Sequence, residues 1–240
     1  IGVAKMDEKI YVATDNSLFY LNEEDESIIR LSKINGLSDV GISVMAKDPN
    51  SNTIIVAYNS TKIDIVEQNN IHSILDLERE NIVGGKTINN ISFYNNNVYL
   101  SCSFGILELN VDNKEVANTY YLSANGSLGV NDLCVLNDSI YAATDSGLLA
   151  ASLNDNLLDY QSWGYIVDNI SIRALEVAYE KIYFVLSYSN EVFCYSNAGV
   201  EVVATIEELN FIKADSDKLF IGAQSKLIEV SPNNSLDLLK

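Results

Sequence analysis

The chain is poor in the residues from which most enzymes and stapled domains are built. Its 240 residues hold one histidine, one tryptophan, two prolines and three cysteines. A nucleophile–histidine arrangement would have to rest on His72 alone, and such chemistry needs its imidazole held beside a nucleophile. His72 sits in the apolar strand stretch Ile71–Leu77 and reads as a structural or surface histidine. Cys102, Cys134 and Cys194 are odd in number and far apart, which excludes a disulfide framework and a zinc site. Each lies in an apolar stretch, where cysteine behaves as a small hydrophobe. Basic residues are scarce as well: 15 Lys and Arg stand against 33 Asp and Glu, for a net charge of −18. A surface of that sign repels nucleic acid and anionic lipid, within a screening length of about 8 Å at physiological salt. No apolar run approaches the roughly 20 residues of a membrane-spanning helix, and no stretch of ten or more residues has a helical period. The first residues, Ile1-GVAKM, read as a strand and not as a signal peptide.

What the chain has instead is a phrase that it repeats. The copies are Lys9-IYVATDNSLFYL, Thr53-IIVAYNSTKIDIV, Asn97-VYLSCSFGILEL, Ser139-IYAATDSGLLAA, Lys181-IYFVLSYSNEVFCY and Lys218-LFIGAQSKLIEV. Their second residues (Ile10, Ile54, Val98, Ile140, Ile182, Leu219) are spaced by 44, 44, 42, 42 and 37 positions. A period near 40 made of short strands predicts an all-β fold, a β-propeller with one four-stranded blade per copy. One blade cannot bury both of its faces, so neighbouring blades supply the core. Six blades are expected in this chain, with seven left open for the intact protein. Residues 1–240 read as a single propeller domain and a fragment of a larger protein.

Each copy follows one grammar. An inner strand comes first (GVAKM, then from Ile42, Ile88, Val130, Ile172 and Asn210), a polar turn follows, and the repeated phrase forms a hairpin turned by Asn, Asp, Ser or Gly. A fourth stretch closes the blade, from Ser27, Ile71, Ala117, Leu157, Val200 and Ser235. The strands are rich in Ile, Val, Tyr and Phe, and several are apolar throughout, as expected of sheets covered on both faces. Glu78-RENIVGGK reads as a loop on one rim.

Chemical motifs are weak. The carboxylate pairs Glu78 with Glu80, Asp155 with Asp159 and Glu207 with Glu208 follow from the abundance of acids. Gly84-Gly85-Lys86-Thr87 lacks the upstream glycine and the following helix of a phosphate loop. The Asp15 and Asp145 segments are too short for calcium loops. Tyr11, Tyr99, Tyr141 and Tyr183 recur at one blade position and, like Trp163, read as packing. No catalytic residue, cofactor or metal site is expected. Ser38, Asn89, Asn131 and Asn169 fall in the polar connections that lead into inner strands. A ring would crowd these connections onto one rim, which makes that rim the expected contact surface.

The stretch Leu31-SKINGLSDVGISVMAKDPNSNTIIVAYNSTKIDIV resembles the repeat of exported Bacteroidetes propellers. Asn35, Gly36, Leu37, Ser38, Asp48 and Ile54 carry the likeness. Lys33-INGLSDVGIS, Lys86-TINNISFY, Val98-YLSCSFGILEL, Asn118-TYYLSANG and Ile140-YAATDSGLLAAS resemble the amino-terminal propeller of PorZ-type proteins of the type IX secretion system. The likeness spans roughly the first two thirds of the chain, and no ligand residue of the family maps onto a numbered position. It implies a non-enzymatic binding or assembly module in secretion and surface attachment, exported to the cell surface, outer membrane or periplasm. Its implied partners are other secretion-complex proteins, lipopolysaccharide or an oligosaccharide. Two alternatives stay open. One is the periplasmic sensor propeller of a hybrid two-component regulator, which shares the Asn-Gly-Leu-Ser phrase. The other is a glycan lyase or hydrolase on a propeller scaffold.

Overall fold

The computed structural model describes residues 2–68, 70–79, 82 and 85–239. Two compact units divide the chain, Ile1–Ser127 and Leu128–Lys240. The first holds three blades: β1 Gly2–Met6, β2 Lys9–Thr14, β3 Ser17–Asn22 and β4 Ile28–Leu31; β5 Ile42–Lys47, β6 Ile54–Tyr58, β7 Ile63–Val66 and β8 Ile71–Ile74; β9 Ile88–Tyr94, β10 Asn97–Cys102, β11 Gly105–Asn110 and β12 Glu115–Tyr120. The second holds three more: β13 Val130–Leu136, β14 Ser139–Thr144, β15 Gly147–Ser152 and β16 Gly164–Asp168; β17 Ile172–Ala178, β18 Lys181–Leu186, β19 Glu191–Ser196 and β20 Gly199–Thr205; β21 Leu209–Asp215, β22 Lys218–Ala223, β23 Leu227–Val230 and β24 Leu236–Leu239. Every sheet is an antiparallel meander of four strands in sequence order. The fold class is therefore the one that the repeat predicts, an all-β propeller of six four-stranded blades.

The core of each unit lies between its blades. Ile55, Ala57, Ile63 and Ile65 of blade 2 pack against Ile91, Leu100, Leu107 and Leu109 of blade 3. The opposite face of blade 2, with Met45, Ile54, Val56 and Val66, packs against Ala4, Met6, Tyr11 and Leu18 of blade 1. Strand β6 is buried at all five positions, which is why its sequence does not alternate. The second unit repeats the device, with Tyr183, Val185, Val192 and Cys194 of blade 5 against Leu209, Ile212, Ile221 and Val230 of blade 6. Inner strands of successive blades are neighbours within each unit: β1 by β5, β5 by β9, β13 by β17 and β17 by β21.

Turn chemistry fixes the hairpins. Asn137 and Asp138 both have positive φ (49° and 57°) between β13 and β14, the twist-matched turn for which Asn and Asp are suited. Gly147 opens β15 at φ 146°, and a Cβ there would stand 2.1 Å from the Val167 carbonyl oxygen. Only glycine permits the outer strand to approach so closely.

The blade 4 outer strand corrects the sequence reading, which placed it at Leu157–Trp163. It is Gly164–Asp168 instead. Asp159 caps a 3-10 turn over Tyr160–Ser162, and Trp163 Nε1 donates to the Leu157 carbonyl at 3.3 Å. Leu157 and Trp163 are the buried anchors of a compact connection, at 8% and 6% exposure, while Leu158 and Tyr160 face solvent. A single helical turn, Asp76–Arg79, precedes blade 3. The loop expected over Glu78-RENIVGGK lies partly outside the described residues.

Candidate binding rim

The end of each blade where the inner strand begins is built from two segments, the connection from the preceding outer strand and the hairpin between second and third strands. Backbone hydrogen bonds join hairpins to connections, either the one entering the same blade or the one leaving it for the next. Ile42 N donates to Asp15 O, Asn59 N to Gly41 O, Ser103 N to Thr87 O, Asn169 N to Ser146 O, Ser187 N to Ser171 O and Ile206 N to Asn190 O, all at 2.8–3.0 Å. Five inner strands also share a β-bulge at their second residue, where the register skips Ser43, Asn89, Asn131, Arg173 and Asn210. A bulge leaves one residue unpaired and re-aims its side chain, so the fold places one such residue at this end of each of these blades.

In the first unit the connection 32–41 is long and heavily braced. Ser32 Oγ caps a 3-10 turn at Lys33–Asn35, and Gly36 ends it at φ 108°, the left-handed conformation expected of the Asn35-Gly36 phrase. Leu37 is buried as an anchor. Ser38 N donates to Asp64 Oδ2 at 2.8 Å, the Tyr58 hydroxyl donates to the same oxygen at 2.7 Å, and Ser73 Oγ donates to Oδ1 at 2.7 Å. Asp64 is fully buried, so these three donors replace its water. Burial together with this carboxylate pushes the Tyr58 phenol far above its ordinary value. Lys33 Nζ and Lys62 Nζ meet Asp39 at 2.7 and 3.2 Å, and Lys33 above all holds the Asp39 carboxyl well below the usual carboxylate range. The braced loop presents Ile34 (97% exposed) and Val40 (58%) to solvent.

In the second unit the connections are short and side chains bridge the inner strands. Asn131 Nδ2 donates to Asp145 Oδ1 at 3.0 Å and to the Ile172 carbonyl at 2.8 Å. Ser171 Oγ donates to Asp145 Oδ1 at 2.8 Å and lies 2.7 Å from Ser187 Oγ. Asn131 and Ser171 together lower the Asp145 pKa. Asp132 Oδ2 accepts from Leu175 N at 2.8 Å. Arg173 spends its guanidinium on three backbone carbonyls, Leu186 at 3.3 Å, Asn210 at 2.8 Å and Leu209 at 3.3 Å. Tyr188, next to Ser187, is 97% exposed at a hairpin tip.

The four residues expected on the rim divide accordingly. Asn89 and Asn131 hold the same bulge position in blades 3 and 4. Ser38 and Asn169 lie in the connections before blades 2 and 5, five and four residues ahead of the bulges at Ser43 and Arg173. The Ser38 hydroxyl is buried without a hydrogen-bond partner, whereas Asn169 is exposed in the left-handed conformation at φ 58°. Asp145, Arg173 and Tyr188 were not singled out for the rim. The buried pairs at spacing three, Ile88/Ile91, Val130/Leu133 and Ile172/Leu175, were the signal for the bulge.

The weak chemical motifs take structural places. His72 Nε2 faces Glu67 Oε2 at 3.4 Å, and Glu67 is shared with Lys114 at 2.8 Å. Lys86 Nζ donates to the carbonyls of Leu77 and Glu78 at 3.0 and 3.2 Å, closing the short helical turn; Gly84 of that motif lies outside the described residues. Of the carboxylate pairs, Glu80 lies outside them too, and Asp159 is spent on its cap. The three cysteines are free, and burial raises the thiol pKa of each. Among the described residues no three His, Cys, Asp or Glu side chains are grouped to hold a metal ion, and no helix is long and apolar enough to cross a membrane. A cavity of about 430 Å³ opens on the outer side of blade 3, lined by Asp76, Leu77, Leu107, Val116, Asn118 and Tyr121 among others.

Comparison with known proteins gives a consistent result. A family model described as the PorZ N-terminal beta-propeller domain of the type IX secretion system matches residues 10–164. The structure of PorZ from Porphyromonas gingivalis, an essential bacterial surface component of that system, superposes with a TM-score of 0.81 at 21% identity. It is matched over 99% of this chain and 32% of its own, so the chain spans about a third of that protein. The extracellular domain of a hybrid two-component system of B. thetaiotaomicron follows at TM-score 0.60 and 10% identity, over 97% of this chain and 39% of that one. The computationally designed protein Ika8 gives 0.62 at 9% identity, over 99% and 85%. At these identities the solved structures show the fold alone. No curated protein matches the chain.

Proposed function

Because the chain belongs to the family of PorZ amino-terminal β-propeller domains of the type IX secretion system, we propose that it is a non-catalytic binding and assembly module of that machinery. The match over 155 of 240 residues carries the reading, since it covers the whole first unit beyond residue 9 and most of blade 4. The module works outside the cytoplasm, at the cell surface, the outer membrane or the periplasm. Its partners are other secretion-complex proteins, with lipopolysaccharide or an oligosaccharide as the further ligand. Contact runs through the rim that carries Ser38, Asn89, Asn131 and Asn169. Two features support this use of the rim. Its backbone is fixed in advance by buried and bridging hydrogen bonds, which lowers the cost of ordering on binding. It also offers Ile34 and Tyr188 almost fully exposed, and such apolar and aromatic anchors carry most of the energy of protein interfaces.

Deleting the gene in the bacterium that encodes it tests the reading. Secreted cargo is expected to accumulate inside the outer membrane and to be missing from the surface. Normal export and attachment in the deletion strain would refute it. Turnover of a glycan panel by the purified protein, abolished by one carboxylate substitution, would instead favour an enzyme.

A further inference from the structure

Blade 4 differs from the others in the connection between its third and outer strands. That connection takes eleven residues, 153–163, where the other five blades use two to five. It lies at the opposite end of the blade from the Asn131 bulge, since Leu153 N donates to Asp138 O, in the turn between β13 and β14, at 2.8 Å. The loop closes on itself. Leu157 and Trp163 anchor it from inside. Ser162 Oγ donates to the Asn156 carbonyl at 2.9 Å. The amides of Asp159 and Ser162 donate to Asn156 O and Asp159 O, each at 3.0 Å. Compact loops of this size, packed on their own side chains, are frequently functional. A loop ordered in advance also binds at a lower entropic cost.

This loop and the strand after it turn apolar side chains outward. Leu158 is 61% exposed, Tyr160 41%, Tyr165 51% and Ile166 36%. Exposed apolar clusters of this kind mark interaction surfaces. Tyr165 and Ile166 belong to β16, the outer edge of its sheet, and an edge strand leaves alternate backbone groups without a strand partner. A Cβ placed on Gly164 would meet nothing within 4 Å, so the start of that edge stands open. The charge around these residues is of one sign. Asp155, Asp159 and Asp168 flank them and are exposed. Among the described residues none of these three carboxylates takes part in an ion pair. No Lys or Arg occurs between Lys114 and Arg173.

We propose that the outer loop and edge of blade 4 dock an extended polypeptide segment of a partner protein, one that carries both apolar residues and Lys or Arg. The free edge of β16 supplies backbone pairing, as in strand addition. Leu158 and Ile166 receive apolar side chains. The two tyrosine rings and the three unpaired aspartates receive the cationic ones, through ring faces and charge-assisted hydrogen bonds. A second copy of this chain fits poorly, because each copy brings a net charge of −18 and like charges facing each other are costly. A glycan fits poorly too, because Leu158 and Ile166 have no group to bond a sugar hydroxyl. The surface is separate from the inner-strand end of the blade, and the proposal does not rest on the secretion reading.

Fluorescence anisotropy with three labelled twelve-residue peptides tests it. One alternates Arg with Val, one Glu with Val and one Arg with Ser. The Arg–Val peptide is expected to bind the purified chain about tenfold more tightly than the Arg–Ser peptide, and the Glu–Val peptide not at all. Combining Leu158→Ser, Tyr160→Ser and Tyr165→Ser is expected to weaken the Arg–Val peptide by about tenfold and to leave the Arg–Ser peptide unchanged. Combining Asp155→Asn, Asp159→Asn and Asp168→Asn is expected to weaken both Arg peptides, and asparagine keeps the cap at position 159. Val3→Ser with Leu238→Ser, which removes apolar side chains exposed elsewhere (72% and 63%), is expected to change nothing. All variants should melt within a few degrees of wild type, as exposed substitutions do; if the serine variant does not fold, the asparagine variant carries the test. Equal affinity for the Arg–Val and Arg–Ser peptides overturns the proposal, because general charge attraction then explains the binding. So does unchanged Arg–Val binding by the serine or the asparagine variant. Binding of a glycan that the tyrosine changes abolish, with no peptide bound, overturns it as well.

Discussion

The two units brace the end of the blade where the inner strand begins by different means. In blades 1–3 a ten-residue connection is held from beneath by Asp64, a carboxylate with no exposure and three neutral donors. In blades 4–6 the connections into β17 and β21 are only three residues long, 169–171 and 206–208, and Asn131, Asp132 and Arg173 cross from one inner strand to the next. Long loops must be braced from the core, whereas short ones let inner-strand side chains do the bracing. In the second unit carbonyls at and beside the bulges find side-chain partners, Ile172 in Asn131 and Asn210 in Arg173, as buried polar groups must.

The largest effect expected from breaking this contrast comes from Asp64. Asp64→Ala leaves the Ser38 amide and the Tyr58 and Ser73 hydroxyls unpaired, and about 3–4 kcal/mol of stability should be lost in urea unfolding. Hydrogen exchange should quicken across 32–41 and leave 169–171 unchanged. Next comes Gly147→Ala, which forces a Cβ against the Val167 carbonyl at an unfavourable φ. A loss of about 2–3 kcal/mol is expected, with β16 fraying first in an exchange experiment. Arg173→Met keeps the aliphatic stem and removes three carbonyl contacts. It should cost about 1.5–3 kcal/mol and loosen blades 5 and 6 alone, so a response in the first unit would contradict the division.

The pH dependence sharpens the same comparison. Asp39 has a folded-state pKa below its unfolded value of about 3.9, chiefly through Lys33. Its contribution is therefore complete above the ordinary carboxylate range and is lost as pH falls through and below it. Stability of the wild type should drop more steeply below about pH 4 than that of Asp39→Asn, as thermal melts across pH would show. The smallest effects belong to Ile34→Ala and Tyr188→Ala. Both residues are 97% exposed, so a change within about 0.5 kcal/mol is expected even where binding is lost.

Much of the fold was legible in the sequence because the hairpin phrase carries its own turn residues. Asn137-Asp138 and Gly147 announce their backbone conformations, and the apolar run Ile54–Tyr58 announces burial on both faces. Leu157–Trp163 misled because Leu157 and Trp163 anchor a capped turn and not a strand, and no local pattern separates the two. The bulge positions were partly legible. Asn89 and Asn131 recur at one repeat position, yet the bulge that places them shows only as buried residues three apart, where a plain strand would give two. Arg173 was missed because its role is set by carbonyls of the next blade, and Asp64 because a carboxylate inside Ile63–Val66 draws its partners from the connection before β5 and from β8. Nothing in the composition marks the boundary at Ser127 and Leu128.

Complementation of the deletion strain with a rim variant tests the central claim most directly. The triple change Asn131→Ala, Asp145→Ala and Tyr188→Ala alters the bulge, its carboxylate and the exposed ring, and it is compared with wild type for cargo at the cell surface. The account predicts a variant that is folded and exported yet fails to restore surface attachment. Full restoration by a variant present at wild-type levels would contradict it.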